Sequence, residues 1–240
     1  MKKKILQIGY GYWGKILYKK IKKNYDIKLI KNRLEFNKKC KKFDLKNIEL
    51  VILTASNNQN IRLIKFFAGK VDKIFCEKPL SKNLTDIKKI FDLCYKKKTN
   101  LFISEIEIFK NKKIKSLKNN FVIRSKVRKY KNIENLVYSL VYHDIYLHIN
   151  YCGLKNIKDI TYNKVGYNYI IKFKSKMRNY LWVYKSNQKK NYHTINGIEY
   201  SDKRDFILKM INKVIKQNNF YRNNLRALKT IEIANKILKK

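Results

Sequence analysis

The 240-residue chain is poor in cysteine and has no long apolar run. Its four cysteines lie far apart and include no CxxC pair, which is typical neither of a zinc site nor of a small disulfide framework. We therefore expect reduced, mostly buried thiols at Cys40, Cys76, Cys94 and Cys152. No stretch approaches the roughly 18–20 uninterrupted apolar residues of a membrane span. The apolar run after the initial MKKK is short and broken by glycine, unlike a signal peptide. These features predict a cytoplasmic protein without a membrane partner.

Glycine, proline, alanine and arginine are also scarce, with 7, 1, 4 and 8 residues, whereas lysine reaches 50 and asparagine 28. This pattern is typical of a chain encoded by AT-rich DNA. The net charge of +41 is compatible with a polyanion-binding surface, which stays open as an alternative. However, phosphate recognition favours arginine over lysine, and the lysines are spread through every predicted helix. We favour compositional drift and expect no specific nucleic-acid partner.

The first hundred residues alternate between strand-like and helix-like stretches. The predicted strands are 5–9, 27–30, 50–56, 73–77 and 101–106, and the predicted helices are 15–24, 60–69 and 84–97. Continuous apolar strands that alternate with helices indicate an α/β fold, in which a doubly wound parallel sheet is covered on both faces.

The pattern changes after about residue 118. A strand-like stretch at 121–130 precedes a helix at 135–153, three strand-like stretches between 159 and 186, and two helices around 203–217 and 222–239. We predict a smaller α+β domain over residues 119–240, with a trimmed, mainly antiparallel sheet and C-terminal helices.

Against the bias in composition, three of the seven glycines lie in GYGYWG, residues 9–14. The segment matches G-x-G-x-x-G directly after a strand and before a helix, which is the context that makes this pattern specific. Gly9 permits the tight turn, Gly11 lets the backbone approach a pyrophosphate, and Gly14 lets the helix pack close to the strand. The helix N-terminus attracts anions. The motif therefore predicts a dinucleotide-binding Rossmann domain over residues 1–118.

The end of the second predicted strand lacks the acidic residue that would bind the ribose diol of NAD. Lys31, Asn32 and Arg33 stand there instead. Cationic side chains suit the 2′-phosphate of NADP, but the general abundance of lysine leaves NAD open. We expect NADP or NAD as the cofactor.

The single proline, Pro79, lies in CEKPLS at the end of the fourth predicted strand. Open α/β sheets bind their ligands at this edge, so Lys78 is placed to exchange a proton with a substrate oxygen. The alternative is that Lys78 is one more solvated lysine.

YHDIYLHIN contains two of the three histidines. In a helix, Asp144 and His148 lie on one face at positions i and i+4, where an imidazole beside a carboxylate is a good acid or base near neutral pH. The alternatives are a hydrogen-bonded structural histidine and a two-histidine metal site. The latter lacks a clear third ligand, so we expect no metal.

These three motifs resemble, in order and interval, those of the Gfo/Idh/MocA (glucose–fructose oxidoreductase/inositol dehydrogenase) family, and GYWGK resembles its nucleotide-sugar subgroup. The closing stretch is also similar. The resemblance implies an NAD(P)-dependent oxidoreductase that transfers a hydride between nicotinamide and a sugar or nucleotide-sugar CH–OH carbon. It implies that Lys78 relays a proton, that His148 is the acid/base at the reacting hydroxyl, and that Asp144 orients substrate or imidazole.

Several features depart from the family pattern: the chain is shorter than usual, and the glycines that usually surround the Asp144–His148 pair are missing, with Tyr146 between the two residues. The substrate and a homo-oligomeric state therefore stay open. Alternatives are a reductase of another carbonyl or imine, and a non-catalytic cofactor- or polyanion-binding protein. The expected cofactor-binding residues are Gly9, Gly11, Tyr12, Trp13, Gly14, Asn32, Arg33, Thr54, Ser56, Glu77 and Lys78.

Overall fold

A computed structural model of the chain describes residues 2–39, 44–110, 113–200 and 206–239. By its internal contacts the chain divides into two compact units. The first comprises Met1–Phe109 and Asp205–Leu228, and the second comprises Lys110–Arg204 and Lys229–Lys240. The domain boundary at residue 118 stays a prediction.

The first unit contains a five-stranded sheet in which all neighbouring strands are parallel. The strands follow the order β2-β1-β3-β4-β5, so the direction of winding reverses between β1 and β3. This confirms the predicted doubly wound Rossmann sheet. The strands are β1 (Lys4–Ile8), β2 (Asp26–Ile30), β3 (Ile48–Leu53), β4 (Lys73–Cys76) and β5 (Asn100–Ile103).

Helices connect these strands and bury their apolar faces on the sheet. The helices of this unit include α1 (Tyr12–Ile21), α2 (Arg33–Lys39), α3 (Asn57–Phe67), α4 (Leu84–Lys96) and α7 (Ile207–Lys216). α7 packs beside α1 in a core cluster that contains Leu17, Phe75 and Met210. Because the sheet is covered in this way, the side chains of its central strand, β3, are fully buried from Leu50 to Leu53. Sequence analysis did not predict α2.

The edge of this sheet is closed by a side chain of the last helix, α8 (Tyr221–Leu238). The amide of Asn223 donates to the carbonyl oxygen of Ile103 at 3.0 Å and accepts from its N–H at 2.8 Å. Asn223 thus takes the place that another strand would occupy beside β5, and these edge groups are paired within the chain.

The second unit contains a six-stranded sheet in the order β11-β10-β6-β9-β8-β7. Only the β6–β9 pair of this sheet is parallel, which confirms the prediction of a mainly antiparallel sheet. A helical segment consists of α5 (Ile133–Leu136), a π-helical turn (Val137–Val141) and α6 (Tyr142–Cys152). The strands are β6 (Asn119–Ser125), β7 (Ile157–Val165), β8 (Asn168–Ser175), β9 (Arg178–Lys185), β10 (Tyr192–Ile195) and β11 (Ile198–Glu199).

Sequence analysis missed the hairpin formed by β10 and β11. Asn196 and Gly197 form its turn with φ angles of +51° and +79°. Asn-Gly is the strongest short sequence signal for a two-residue hairpin, because both positions of the turn need a positive φ. The signal was therefore present in the sequence.

The cysteine prediction is confirmed where it can be checked. Cys76, Cys94 and Cys152 are buried free thiols, and burial raises the pKa of Cys94 to about 12. Cys40 lies outside the described residues. Within the described ranges, the helices are too short or too polar to cross a membrane.

Candidate active site

The glycine turn between β1 and α1 is closely packed at two of its three glycines. Gly9 has a φ of +104°, and a Cβ atom there would lie 2.6 Å from the carbonyl carbon of Thr54. A Cβ atom on Gly14 would lie 2.6 Å from both the Gly9 carbonyl oxygen and Thr54 Oγ1. Both positions therefore require glycine.

Two neighbouring side chains hold the turn in this conformation. Thr54 Oγ1 donates to the carbonyl oxygen of Gly9 at 2.9 Å. The amide of the fully buried Gln7 donates to the carbonyl oxygens of Gly9, at 3.1 Å, and Gly14, at 2.8 Å. Thr54 thus supports the turn from the end of β3. Gln7 was not predicted as part of the site.

Gly11 differs from the other two glycines because it borders open space. A Cβ atom there would meet no described protein atom within 4 Å. Gly11 is also the N-cap of α1, where it has no side chain to cap the first turn, and Tyr12 beside it is 84% exposed. The helix N-terminus is thus accessible beside a turn that leaves room for a ligand. These residues fit the pyrophosphate of a dinucleotide.

Trp13 connects the glycine turn to the CEKPLS motif. Its indole Nε1 donates to Glu77 Oε1, and the backbone N–H of Glu77 donates to the carbonyl oxygen of Leu53 at 3.0 Å. Burial raises the pKa of Glu77, although hydrogen bonds from Ser104 and Trp13 and the charge of Lys78 act in the opposite direction. Lys78 is half-buried and precedes Pro79 through a cis peptide bond.

The segment after β2 contains an acidic residue that sequence analysis did not consider. Asn32 Oδ1 accepts from the backbone N–H of Glu35 at 3.0 Å, and Glu35 Oε2 accepts from the N–H of Lys31 at 2.8 Å. Lys39 lies 2.7 Å from the other carboxylate oxygen of Glu35. The hydrogen bonds from Lys39 and Lys31 lower the pKa of Glu35. The side chains of Asn32 and Glu35 are thus used within α2, while Arg33 is exposed.

Ser56, the remaining predicted cofactor-binding residue, is exposed at the N-cap of α3 and makes no side-chain capping bond there. In the first unit, the predicted residues therefore follow the carboxyl ends of β1, β2, β3 and β4.

Asp144 and His148 lie on α6 in the second unit, and both are 0% exposed. His148 Nδ1 is 2.7 Å from the backbone carbonyl oxygen of Asp144. Because a carbonyl oxygen can only accept, Nδ1 carries the hydrogen. The imidazole thus contacts the backbone of Asp144 through this bond.

The carboxylate of Asp144 contacts three residues that sequence analysis did not predict. Arg124 Nη1 lies 3.2 Å and His193 Nε2 2.9 Å from Oδ1, and the hydroxyl of Tyr184 donates to Oδ2 at 3.0 Å. Burial alone would raise the pKa of Asp144, but the charges of Arg124 and His193 outweigh it and hold this pKa well below its usual range. Asp144 is therefore ionised near neutral pH.

His148 keeps one nitrogen available. Its Nε2 is buried and has no hydrogen-bond partner among the described residues. The ring lies beside those of Trp182 and Tyr180, with centroid distances of 5.1 and 5.8 Å. Burial lowers the pKa of His148, so the ring is neutral and Nε2 is an unprotonated base. The described residues include no cluster of histidine, cysteine and acidic side chains that could hold a metal ion.

The sequence matches no family model and no curated protein. Solved structures, however, match nearly the whole chain. The dehydrogenase MviM from Clostridium difficile is 14% identical with a TM-score of 0.72, covering 98% of both chains. UDP-N-acetylglucosamine 3-dehydrogenase GnnA from Acidithiobacillus ferrooxidans is 11% identical with a TM-score of 0.75, covering 99% of this chain and 97% of its own.

A Gfo/Idh/MocA family oxidoreductase from Vibrio cholerae is 13% identical with a TM-score of 0.70, covering 98% of both chains. The chain therefore has the fold of Gfo/Idh/MocA dehydrogenases. This confirms the predicted resemblance at the level of the fold.

Proposed function

We propose that the chain is a Gfo/Idh/MocA oxidoreductase that transfers a hydride between a nicotinamide dinucleotide and a hydroxyl- or carbonyl-bearing carbon of a sugar or nucleotide sugar. The glycine turn carries the proposal, because Gly9 and Gly14 are packed against protein atoms whereas Gly11 borders open space. The similarity to a UDP-N-acetylglucosamine 3-dehydrogenase supports the substrate class.

The first unit supplies the cofactor site in this proposal. The N–H groups at the start of α1 and the backbone at Gly11 hold the pyrophosphate, and Thr54 and Gln7 keep the turn in shape. When bound, the dinucleotide supplies or accepts the hydride. The chain's own residues then need to bind, orient and manage protons.

Lys78 serves at the substrate oxygen in this proposal as a hydrogen-bond donor and proton relay, while the single hydroxyl proton is exchanged with His148. It follows β4 at the ligand edge of the sheet, beside Glu77, which the Trp13 hydrogen bond ties to the glycine turn. An ammonium group there can stabilise negative charge that develops on an oxygen as the hydride moves.

His148, which belongs to the second unit, acts on the reacting hydroxyl in this proposal. Its Nδ1–H is fixed by the carbonyl oxygen of Asp144, which leaves Nε2 as the basic nitrogen. Nε2 accepts the hydroxyl proton during oxidation and returns it during reduction.

We further propose that NADPH binds more tightly than NADH. Lys31 and Arg33 are exposed after β2, and the carboxylate of Glu35 is occupied by Lys39 and the N–H of Lys31. The local cations are therefore available to a 2′-phosphate. Titrations of both dinucleotides should show that Arg33→Ala reduces this preference, and an unchanged ratio of dissociation constants would remove Arg33 from the site.

The reaction is tested with a panel of sugars and nucleotide sugars, followed by nicotinamide absorbance in both directions. We expect Lys78→Ala to lower turnover by about 10²–10⁴-fold. Lys89→Ala, which changes an exposed lysine on α4, should keep wild-type turnover. Undiminished activity of Lys78→Ala would exclude Lys78 from the mechanism, and turnover of other carbonyls or imines alone would redirect the substrate class.

Thermal shift separates the enzyme from a polyanion-binding protein. The chain is heated with NADPH, NADH or a DNA oligonucleotide at moderate salt, where non-specific attraction to its charge of +41 is weakened. Stabilisation by a dinucleotide supports the proposal. Stabilisation by DNA alone would overturn it.

A further inference from the structure

Three side chains on neighbouring strands of the second sheet converge on Asp144. His193 on β10 is paired with Arg124 on β6, and Arg124 is paired in turn with Tyr184 on β9. His193, Arg124 and Tyr184 thus form one row across the sheet, which we call the Asp144 row. Because these three residues lie far apart in the chain, the sequence alone does not predict this arrangement.

The Asp144 row occupies both oxygens of the carboxylate. Oδ1 is contacted by Arg124 and His193, and Oδ2 accepts from Tyr184. Asp144 is fully buried, and Arg124 and His193 are nearly so. Two hydrogen bonds, from Arg124 and Tyr184, and the nearby His193 nitrogen leave this buried carboxylate little capacity for a further ligand, so the protein itself satisfies Asp144.

The row also fixes how α6 lies along β9. His148 follows Asp144 by one helical turn, a rise of about 6 Å. Two residues of a strand span about 6.6 Å, so the two spacings nearly match. Accordingly, Asp144 meets Tyr184, while His148 lies beside Trp182 and Tyr180 further along β9. The attachment of Asp144 to its row therefore sets where His148 meets the sheet.

We propose that Asp144, Arg124, Tyr184 and His193 are positioning residues, which hold α6 in register on the sheet and thereby fix where His148 lies on it. The inference rests on the proposed function for the chemistry that His148 performs. Of the two roles that the family resemblance implies for Asp144, orienting substrate or orienting the imidazole, the inference selects the second, and it adds Arg124, Tyr184 and His193 as the residues that hold Asp144.

The first test is NMR spectroscopy of the histidine side chains, which does not depend on turnover. The chain has only three histidines, so their signals can be assigned. In ¹⁵N-histidine-labelled full-length protein, we expect His148 to show the Nδ1–H tautomer. His193→Leu should shift the His148 resonances, because a displaced α6 changes how the ring lies beside Trp182 and Tyr180. His193→Gln should preserve them, because an amide N–H can still donate to Asp144.

Two further variants keep this measurement decisive. Tyr184→Phe removes a single hydroxyl, so it perturbs folding less than His193→Leu and should still shift the His148 resonances. His143→Gln changes the neighbouring helix histidine outside the row and should leave them in place. Unchanged His148 signals in both His193→Leu and Tyr184→Phe would overturn the inference.

The second test separates positioning from substrate binding. In steady-state assays we expect His193→Leu to lower kcat by about 10–100-fold, since a displacement of about 1 Å at a catalytic group has effects of this size. KM should change little, and His193→Gln should recover most of kcat. A raised KM with unchanged kcat would place the row at the substrate and overturn the inference. Absence of turnover in wild-type protein would overturn the proposed function, while the NMR result would still decide the positioning role.

Discussion

The glycine turn of the first unit and the Asp144 row of the second differ in what surrounds them. At the turn, backbone atoms of Gly9 and Gly14 pack so closely that a side chain cannot enter, yet Gly11 borders open space. At the row, a carboxylate is contacted by three polar side chains and has no solvent exposure. The turn thus borders open space at one glycine, whereas the row satisfies a charge inside the protein.

The two regions also differ in how far apart their parts lie in sequence. The turn is contained in residues 9–14, with support from Gln7 and Thr54. The row consists of residues 124, 184 and 193, and the carboxylate that it contacts belongs to residue 144. A site built from local backbone geometry can be recognised as a motif, while one built from strand register cannot.

The largest effect is expected from breaking the row. Asp144→Ala leaves the cation of Arg124 buried without its partner, so we expect the free energy of unfolding to fall by about 3–5 kcal/mol. Urea denaturation of the full chain measures this change. Glu49→Ala, which breaks the exposed pair between Lys3 and Glu49, should cost about 1 kcal/mol or less. Equal losses in the two variants would show that burial of the Asp144 pair has no energetic consequence.

An intermediate effect on the free energy of unfolding is expected at the glycine turn, where Gly14 and Gly11 should respond differently to alanine. Gly14→Ala places a Cβ atom 2.6 Å from the Gly9 carbonyl oxygen, so it should reduce the free energy of unfolding by about 1–3 kcal/mol. Gly11→Ala meets no described protein atom within 4 Å and should cost less than about 1 kcal/mol.

Substitution of Gly11 should affect dinucleotide binding more than it affects stability. We expect Gly11→Ala to raise the dissociation constant for NADPH by about tenfold, roughly 1.4 kcal/mol, because the added methyl group enters the space proposed for the pyrophosphate. Fluorescence titration of the nicotinamide gives this constant. Wild-type affinity in the folded Gly11→Ala variant would contradict the proposed cofactor site.

A further effect concerns pH and compares wild type with His148→Gln. Burial lowers the pKa of His148, so below the unfolded value of about 6.5 the unfolded chain takes up a proton that the folded chain does not. Wild type should therefore lose stability relative to His148→Gln as pH falls from 7.5 to 5, by up to about 1.4 kcal/mol per pH unit. Urea midpoints at several pH values measure the difference. A constant difference between the two proteins would show that His148 titrates equally in both states.

Much of the fold could be predicted because its signals are local. Apolar runs mark each strand of the first sheet, and the spacing of Ile87, Ile90 and Cys94 marks the buried face of α4. The short helix α2 was missed because it has a single buried residue, Phe36. The β10–β11 hairpin carried a recognisable Asn-Gly turn, but its flanking strands are too short to stand out.

The same distinction holds for the candidate site. Gly9, Gly11 and Gly14 stand out in a chain with only seven glycines, and Glu77, Lys78, Asp144 and His148 lie in short recognisable segments. Gln7 and Trp13 show their hydrogen-bonding roles only once β1, α1 and β4 are assembled. Glu35 depends on the fold of α2, which returns its carboxylate to Lys31.

By itself, the sequence determined the alternation of strands and helices, the glycine turn and the segments that contain Lys78 and His148, because hydrophobic period and glycine geometry act over a few residues. Only the tertiary structure decided which groups surround Asp144. Arg124, Tyr184 and His193 become neighbours through the register of three strands, and that register depends on pairings between distant residues such as Val122 and Ile195, which are 73 positions apart. The carboxylate of Asp144, to which the resemblance gave a role toward substrate or imidazole, is in the folded chain contacted by Arg124, Tyr184 and His193.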